Sequence, residues 1–184
     1  MNLFEHVTVA TLAAWDPRGT PQFGRVADLV NRLGFSLPSN PTLHSFPTPE
    51  RILVGAQSLH DVFGPPVVTR LMGIAQTFAT EPAQIDLLVR QRLDARKLAA
   101  RLTEELSLDA LGAGLLMLYL GRYDYIPTDA VAQRRVGEHL LSAAPVSEQE
   151  ILALFDRWHP FGGLAYWLWD WSKVRTTTTN AAPG

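Results

Sequence analysis

Apolar residues recur along this chain at helical spacing, and strict apolar-polar alternation never persists. Phe23, Val26, Leu29, Val30 and Leu33 follow i, i+3, i+4 steps, and Gly34 closes that stripe. Val67, Leu71, Ile74, Ala75 and Phe78 form a second stripe behind the break at Gly64-Pro65-Pro66. Ile85, Leu88 and Val89 form a third, opened by Glu81-Pro82 and running through Leu93. Val131, Ala132, Val136 and Leu140 mark the inner face of a helix that ends before Pro145. Ile151, Leu154, Phe155 and Trp158 mark another, stopped by His159-Pro160. Asn2–Trp15 is apolar almost throughout and reads as helix, as does the aromatic-rich Leu164–Val174. The pattern predicts an all-α protein built from short helices.

Start signals sit where these stripes begin. Thr48-Pro49-Glu50 places a capping hydroxyl before a proline at the first helical position. Asp94 can cap 95–106, and Ser107 can cap 108–120. Ser147 and Glu150 have the spacing of a capping box. Ser58–Phe63 reads as one short helix. The segments 16–21 and 35–47 read as loops, and Gly162-Gly163 is expected to turn the chain. Residues 176–184 are expected to form a flexible tail.

The stretch Leu115–Val136 organises the rest. Its apolar run ends at Gly121, a polar turn follows, and Ile126-Pro127-Thr128-Asp129 opens a new helix. Thr128 or Asp129 can serve as N-cap. A carboxylate at a helix mouth either caps the helix or faces a cleft and does chemistry. This stretch alone leaves both roles open.

Composition narrows the chemistry. A chain of 184 residues that is 47% hydrophobic can bury a real core as one domain or two small lobes. The net charge of −2 gives no general attraction to nucleic acid, so DNA binding would need a local basic face. The basic residues are almost all Arg; the two lysines are Lys97 and Lys173. The absence of cysteine excludes disulfides, thiolate zinc sites, iron-sulfur clusters and a Cys nucleophile. The five histidines show no metal-ligand spacing, and no glycine-rich phosphate loop is present, so neither a metal nor a cofactor is expected. No apolar run reaches membrane length, and the N-terminus lacks a basic region and carries Glu5. A cytoplasmic protein is expected, nucleoid-associated if bacterial.

Two distant stretches read together carry more. Gly121-Arg122-Tyr123-Asp124-Tyr125-Ile126-Pro127-Thr128-Asp129 leads into a helix containing Arg134 and Arg135. Trp158-His159-Pro160-Phe161 is followed by Leu164-Ala165-Tyr166-Trp167-Leu168-Trp169. Upstream stands Phe46-Pro47-Thr48-Pro49-Glu50. This combination resembles the helix-hairpin-helix DNA glycosylase superfamily, which includes endonuclease III and the 3-methyladenine DNA glycosylases. The resemblance runs from about Phe23 to Trp171.

The resemblance implies a two-lobed all-α fold over 1–175, with a central bundle at about 22–115 and a second lobe from about 1–21 plus 116–175. It implies that Asp129 is the catalytic carboxylate, lying in the cleft between the lobes. Such a group stabilises positive charge on the deoxyribose and activates water while the damaged base sits in an aromatic pocket. Tyr166, Trp167, Trp169 and Trp171 could line such a pocket or pack the core between lobes, and for any single one core packing is the commoner role; Tyr166 and Trp169, by helical spacing on one face, are the pocket candidates. Asp124 reads as a turn residue. Bifunctional members of the family use a lysine near the hairpin, and residues 98–172 contain none. The expected activity is monofunctional release of a base, alkylated purine by preference, from double-stranded DNA, by a monomer.

The family's phosphate-binding hairpin corresponds to Glu105–Ala113, with Ser107, Leu108 and Asp109 at its turn. Both hairpin glycines are replaced, and Gly162 stands where the family has an Arg. The alternative is therefore an inactive glycosylase-like protein that binds DNA or a protein partner. A helical domain unrelated to DNA, with Asp129 only a cap, is the remaining reading.

Overall fold

The structure, a computed structural model, describes residues 2–14, 23–141 and 145–169. Trp15, the expected loop at 16–21, Trp171, Lys173 and the expected tail at 176–184 lie outside the described residues. The chain divides into two units at Gly121.

The first unit is centred on two helices, α1 (Leu3–Ala14) and α8 (Ala110–Tyr119). Both are apolar on nearly every side, and a helix without a polar face is stable only inside. They pack on each other at small residues: a Cβ at Gly112 would lie 3.5 Å from that of Ala14 and 3.6 Å from the Ala10 carbonyl. Around them stand α2 (Gly24–Leu33), α3 (Pro49–Gly55), the short α4 (His60–Phe63), α5 (Pro65–Thr80), α6 (Pro82–Arg90) and α7 (Ala95–Leu106). Val67, Leu71, Ile74, Ala75 and Phe78 are buried on α5, and Ile85 and Leu88 on α6. The stripe on α2 buries only Leu29 and Leu33; Phe23 precedes the helix and is exposed.

Two of the expected caps form here. Thr48 Oγ1 accepts from the Arg51 amide at 3.4 Å, and Asp94 Oδ1 from the Lys97 amide at 2.9 Å. Four local expectations change. The N-cap of α8 is Asp109, not Ser107, because Ser107 is already the turn residue that ends α7. The segment 58–63 is split, with a 3-10 turn at Ala56–Leu59 ahead of α4. The expected loop at 35–47 holds an antiparallel hairpin, β1 (Ser36–Leu37) and β2 (Asn40–His44). Its positions are mostly exposed, so no buried face imposes an alternating pattern. Finally, α1 packs on α5 and α8 in the first unit, whereas the sequence reading joined it to 116–175.

The second unit holds α9 (Ala130–Val136), a π-helical turn at Gly137–Leu141, α10 (Glu148–Asp156) and α11 (Gly162–Leu168). Ala132, Val136, Leu140, Val146, Ile151, Phe155 and Tyr166 form its core. The capping box of α10 closes as the sequence predicts, with the Ser147 amide 2.8 Å from Glu150 Oε2 and the Glu150 amide 3.3 Å from Ser147 Oγ. Gly162 and Gly163 do not turn the chain; they are the first residues of α11. Packing explains the glycines. A Cβ on Gly162 would press to 2.8 Å from Ile126 Cδ1, and one on Gly163 would run into the Tyr125 carbonyl.

Candidate functional site

The approach to Asp129 is a short loop with its own restraints. Arg122 clasps Asp124 through two bonds, Nε to Oδ1 and Nη2 to Oδ2, each 3.1 Å. Asp124 is thus held as a turn residue. The Tyr123 carbonyl accepts from the Gly163 amide at 2.7 Å, which ties the loop to the first turn of α11. Ile126 packs on the core, Pro127 is buried, and the chain then enters α9.

Asp129 is the N-cap of that helix, which settles the choice between it and Thr128. Its Oδ1 accepts from the Val131 amide at 2.8 Å and the Ala132 amide at 3.2 Å. Its carbonyl accepts from the Gln133 amide at 2.8 Å, and the Gln133 side chain donates to the Thr128 carbonyl at 3.0 Å. Both cap bonds fall on one carboxylate oxygen. Among the described residues, Oδ2 takes no hydrogen bond. The residue is half-buried, so one oxygen is fixed by backbone while the other is available.

Arg135 is a residue the sequence reading left without a role. Its guanidinium bonds the phenol of Tyr166, and the charges of Arg135 and Asp129 both act on that phenol. Burial pushes the Tyr166 phenol up to about 12, with the Asp129 charge adding to the rise and Arg135 opposing it. The signal for Arg135 was the Arg pair one helical turn and a half into α9, but only the fold reveals its phenolic partner.

Tyr166 and Trp169 do not form the shared helical face expected of pocket walls. Helix α11 ends at Leu168, and Trp169 has an extended backbone. Tyr166 is 2% exposed and lies edge-on to Phe155 at 5.8 Å. Trp169 is half-buried and lies edge-on to Phe155 and Trp158, at 6.3 and 5.8 Å. Tyr166 lies in the core of the second unit, and Trp169 packs against that core. The aromatic pair at its surface is instead Tyr123 with Phe161, 6.3 Å apart, and Phe161 is 53% exposed.

The segment expected to form the hairpin is the turn between α7 and α8, in the first unit. Ser107 takes the left-handed conformation, with φ of 50°, and is exposed. Leu108 is buried, anchoring the turn from beneath. Asp109 caps α8, its Oδ1 accepting from the Gly112 amide at 2.8 Å. Its Oδ2 pairs with Arg70 Nη1 at 3.0 Å. A concavity of about 490 Å³ opens beside this turn, lined by Thr69, Arg70, Gly73, Thr77, Glu105 and Ser107 among others. Among the described residues, no group of acidic or histidine side chains could hold a metal, and no helix is long and apolar enough to cross a membrane.

No family model matches the sequence, and no curated protein matches it. Solved structures do match. The apo 8-oxoguanine glycosylase/lyase of Clostridium acetobutylicum superposes with a TM-score of 0.68 at 14% identity, over 90% of this chain and 58% of that one. The same enzyme bound to double-stranded DNA with cytosine opposite 8-oxoguanine gives 0.66 at 14% identity, over 90% and 57%. MBOgg1 in complex with a low-affinity DNA ligand gives 0.64 at 16% identity, again over 90% and 57%. The chain therefore spans less than three fifths of the length of these relatives. Its fold is the helix-hairpin-helix DNA glycosylase fold, in agreement with the motifs.

Proposed function

We propose that the protein is a monofunctional DNA N-glycosylase acting in base excision repair, with Asp129 as its carboxylate and duplex DNA bearing a damaged base as its partner. The observation that carries this reading is the division of labour at Asp129. Two backbone amides hold Oδ1, and Oδ2 remains open. A carboxylate so pinned does not have to reorganise as charge develops near it, which is the condition for electrostatic stabilisation.

Breaking the bond between deoxyribose C1′ and the base nitrogen leaves positive charge on the sugar. The open oxygen of Asp129 stabilises that charge and accepts a proton from the attacking water. The water oxygen bonds to C1′, and the base leaves with the electrons of the C1′–N bond. Lyase chemistry through a Schiff base requires an amine nucleophile. With no lysine from 98 to 172, the proposed reaction stops at the abasic site. An alkylated purine is the proposed substrate, since a cationic base is attracted to the faces of aromatic rings. Tyr123 and Phe161 offer such a surface near the loop that enters Asp129. The protein is proposed to act as a monomer.

The test is base release from duplexes each carrying one lesion: 3-methyladenine, 7-methylguanine, hypoxanthine, uracil or 8-oxoguanine. Release by the wild type that disappears in Asp129→Asn supports the reading and names the base. Release that persists in Asp129→Asn overturns the role of Asp129. Binding to an abasic duplex without release of any base replaces the enzyme with a non-catalytic DNA binder.

A further inference from the structure

We propose that Asp109 is a built-in substitute for a nucleic-acid phosphate, so that the turn between α7 and α8 is closed to anions rather than an anchor for them. The start of α8 has what an anion seeks: unpaired amides, the positive end of a helix and a nearby arginine. The chain supplies the anion itself. One oxygen of Asp109 takes the Gly112 amide at 2.8 Å, and the other takes Arg70 at 3.0 Å. A single carboxylate thus occupies both the amide and the cation.

The surroundings reinforce this. Glu105, at the end of α7, brings a second carboxylate and is paired with Arg101 at 3.2 Å. Arg70 and Arg101 thus each face an internal acid. A phosphate approaching α8 meets negative charge in the place of open donors. The turn itself is intact: Ser107 supplies the left-handed residue and Leu108 the buried anchor. The turn therefore keeps a left-handed residue and a buried anchor, while one of its amides and its neighbouring arginine are already taken by Asp109.

The inference rests on the DNA-binding reading only for duplex DNA; closure to anions is a property of the turn. The experiment compares the wild type with Asp109→Ser, whose hydroxyl still caps α8 but carries no charge. Inorganic phosphate is titrated while the backbone amide resonances of 110–112 are followed. The wild-type amides should stay in place, and those of Asp109→Ser should shift in a saturable way. Affinity for a short duplex is measured in parallel against salt. It should rise several-fold at low salt in the variant, with a log-log slope steeper by about one, the signature of one added phosphate contact.

Phosphate-dependent shifts at 110–112 in the wild type overturn the proposal, as does a folded variant that gains neither phosphate nor duplex binding. If the variant gains phosphate binding while neither protein binds duplex, the DNA reading falls and the closure stands. Asp109→Asn, which preserves the side-chain shape as well as the cap, replaces Asp109→Ser if the serine variant does not fold.

Discussion

The amide of Gly163 donates to the carbonyl of Tyr123 at 2.7 Å. This bond joins the first turn of α11 to the loop that delivers Asp129 to its helix. It forms only because residue 163 has no side chain, since a methyl group there would enter the Tyr125 carbonyl.

Gly163→Ala should therefore destabilise the second unit. The obstruction is backbone, which cannot rotate aside as a long side chain can. Overpacking of this kind costs about 1–3 kcal/mol, and here the upper end is expected. Chemical denaturation of the variant gives the value. A loss below about 0.5 kcal/mol would mean that the loop moves freely, contrary to its restraints at Arg122–Asp124 and Gly163.

Asp129→Asn and Asp129→Ala separate capping from chemistry. Asparagine caps about as well as aspartate, so Asp129→Asn should leave the melting temperature close to that of the wild type. Alanine removes the acceptor for the Val131 and Ala132 amides and should cost about 1 kcal/mol. If the carboxylate is catalytic, both variants lose base release by the same large factor despite this difference in stability. Activity that follows stability across the two would leave Asp129 as a cap alone.

Ser107→Gly should stabilise the first unit. A non-glycine residue in the left-handed region carries a strain of roughly 1–2 kcal/mol that glycine does not. Glycine gives part of this back through the greater freedom of its unfolded chain. A net gain of about 0.5–1 kcal/mol in the denaturation midpoint is expected. A net loss would show that the serine side chain stabilises the turn in some further way.

The buried phenol of Tyr166 makes stability fall in alkali. Its folded pKa, about 12, lies above the unfolded value of about 10. The folded state thus favours the neutral phenol. The associated stability is complete below pH 10 and is lost as pH rises towards 12. Two units correspond to a loss of about 2–3 kcal/mol. The phenol of half-buried Tyr119, raised by partial desolvation, adds in the same direction. Urea midpoints at a series of pH values should decline less steeply in Tyr166→Phe. An unchanged slope in that variant would place the phenol in contact with solvent.

The helices and most of their starts were legible in the amino-acid order because they depend on near neighbours. Thr48 with Arg51, Asp94 with Lys97 and Ser147 with Glu150 each lie three residues apart. The position of Asp129 before α9 was legible for the same reason, and the spaced motifs around it pointed to the fold that the structural neighbours share. Ser107 misled because its type suits a cap as well as a turn. What separates the two is the backbone angle at 107 and the Arg70 that lies 39 residues before Asp109. Gly162-Gly163 misled because glycine marks both turns and close approaches.

By itself, then, the sequence determined the helical class, most of the inward faces and the carboxylate at the mouth of α9. These follow from hydrogen bonds and side-chain spacing within a turn or two of helix. Tertiary structure alone decided that Trp169 leaves the helix to lie against Phe155 and Trp158, that Arg135 partners a buried phenol, that α1 belongs with α5 and α8, and that Asp109 meets Arg70. Each of these depends on which distant segment occupies the space beside a residue, and a local pattern of apolar and polar positions does not specify that neighbour.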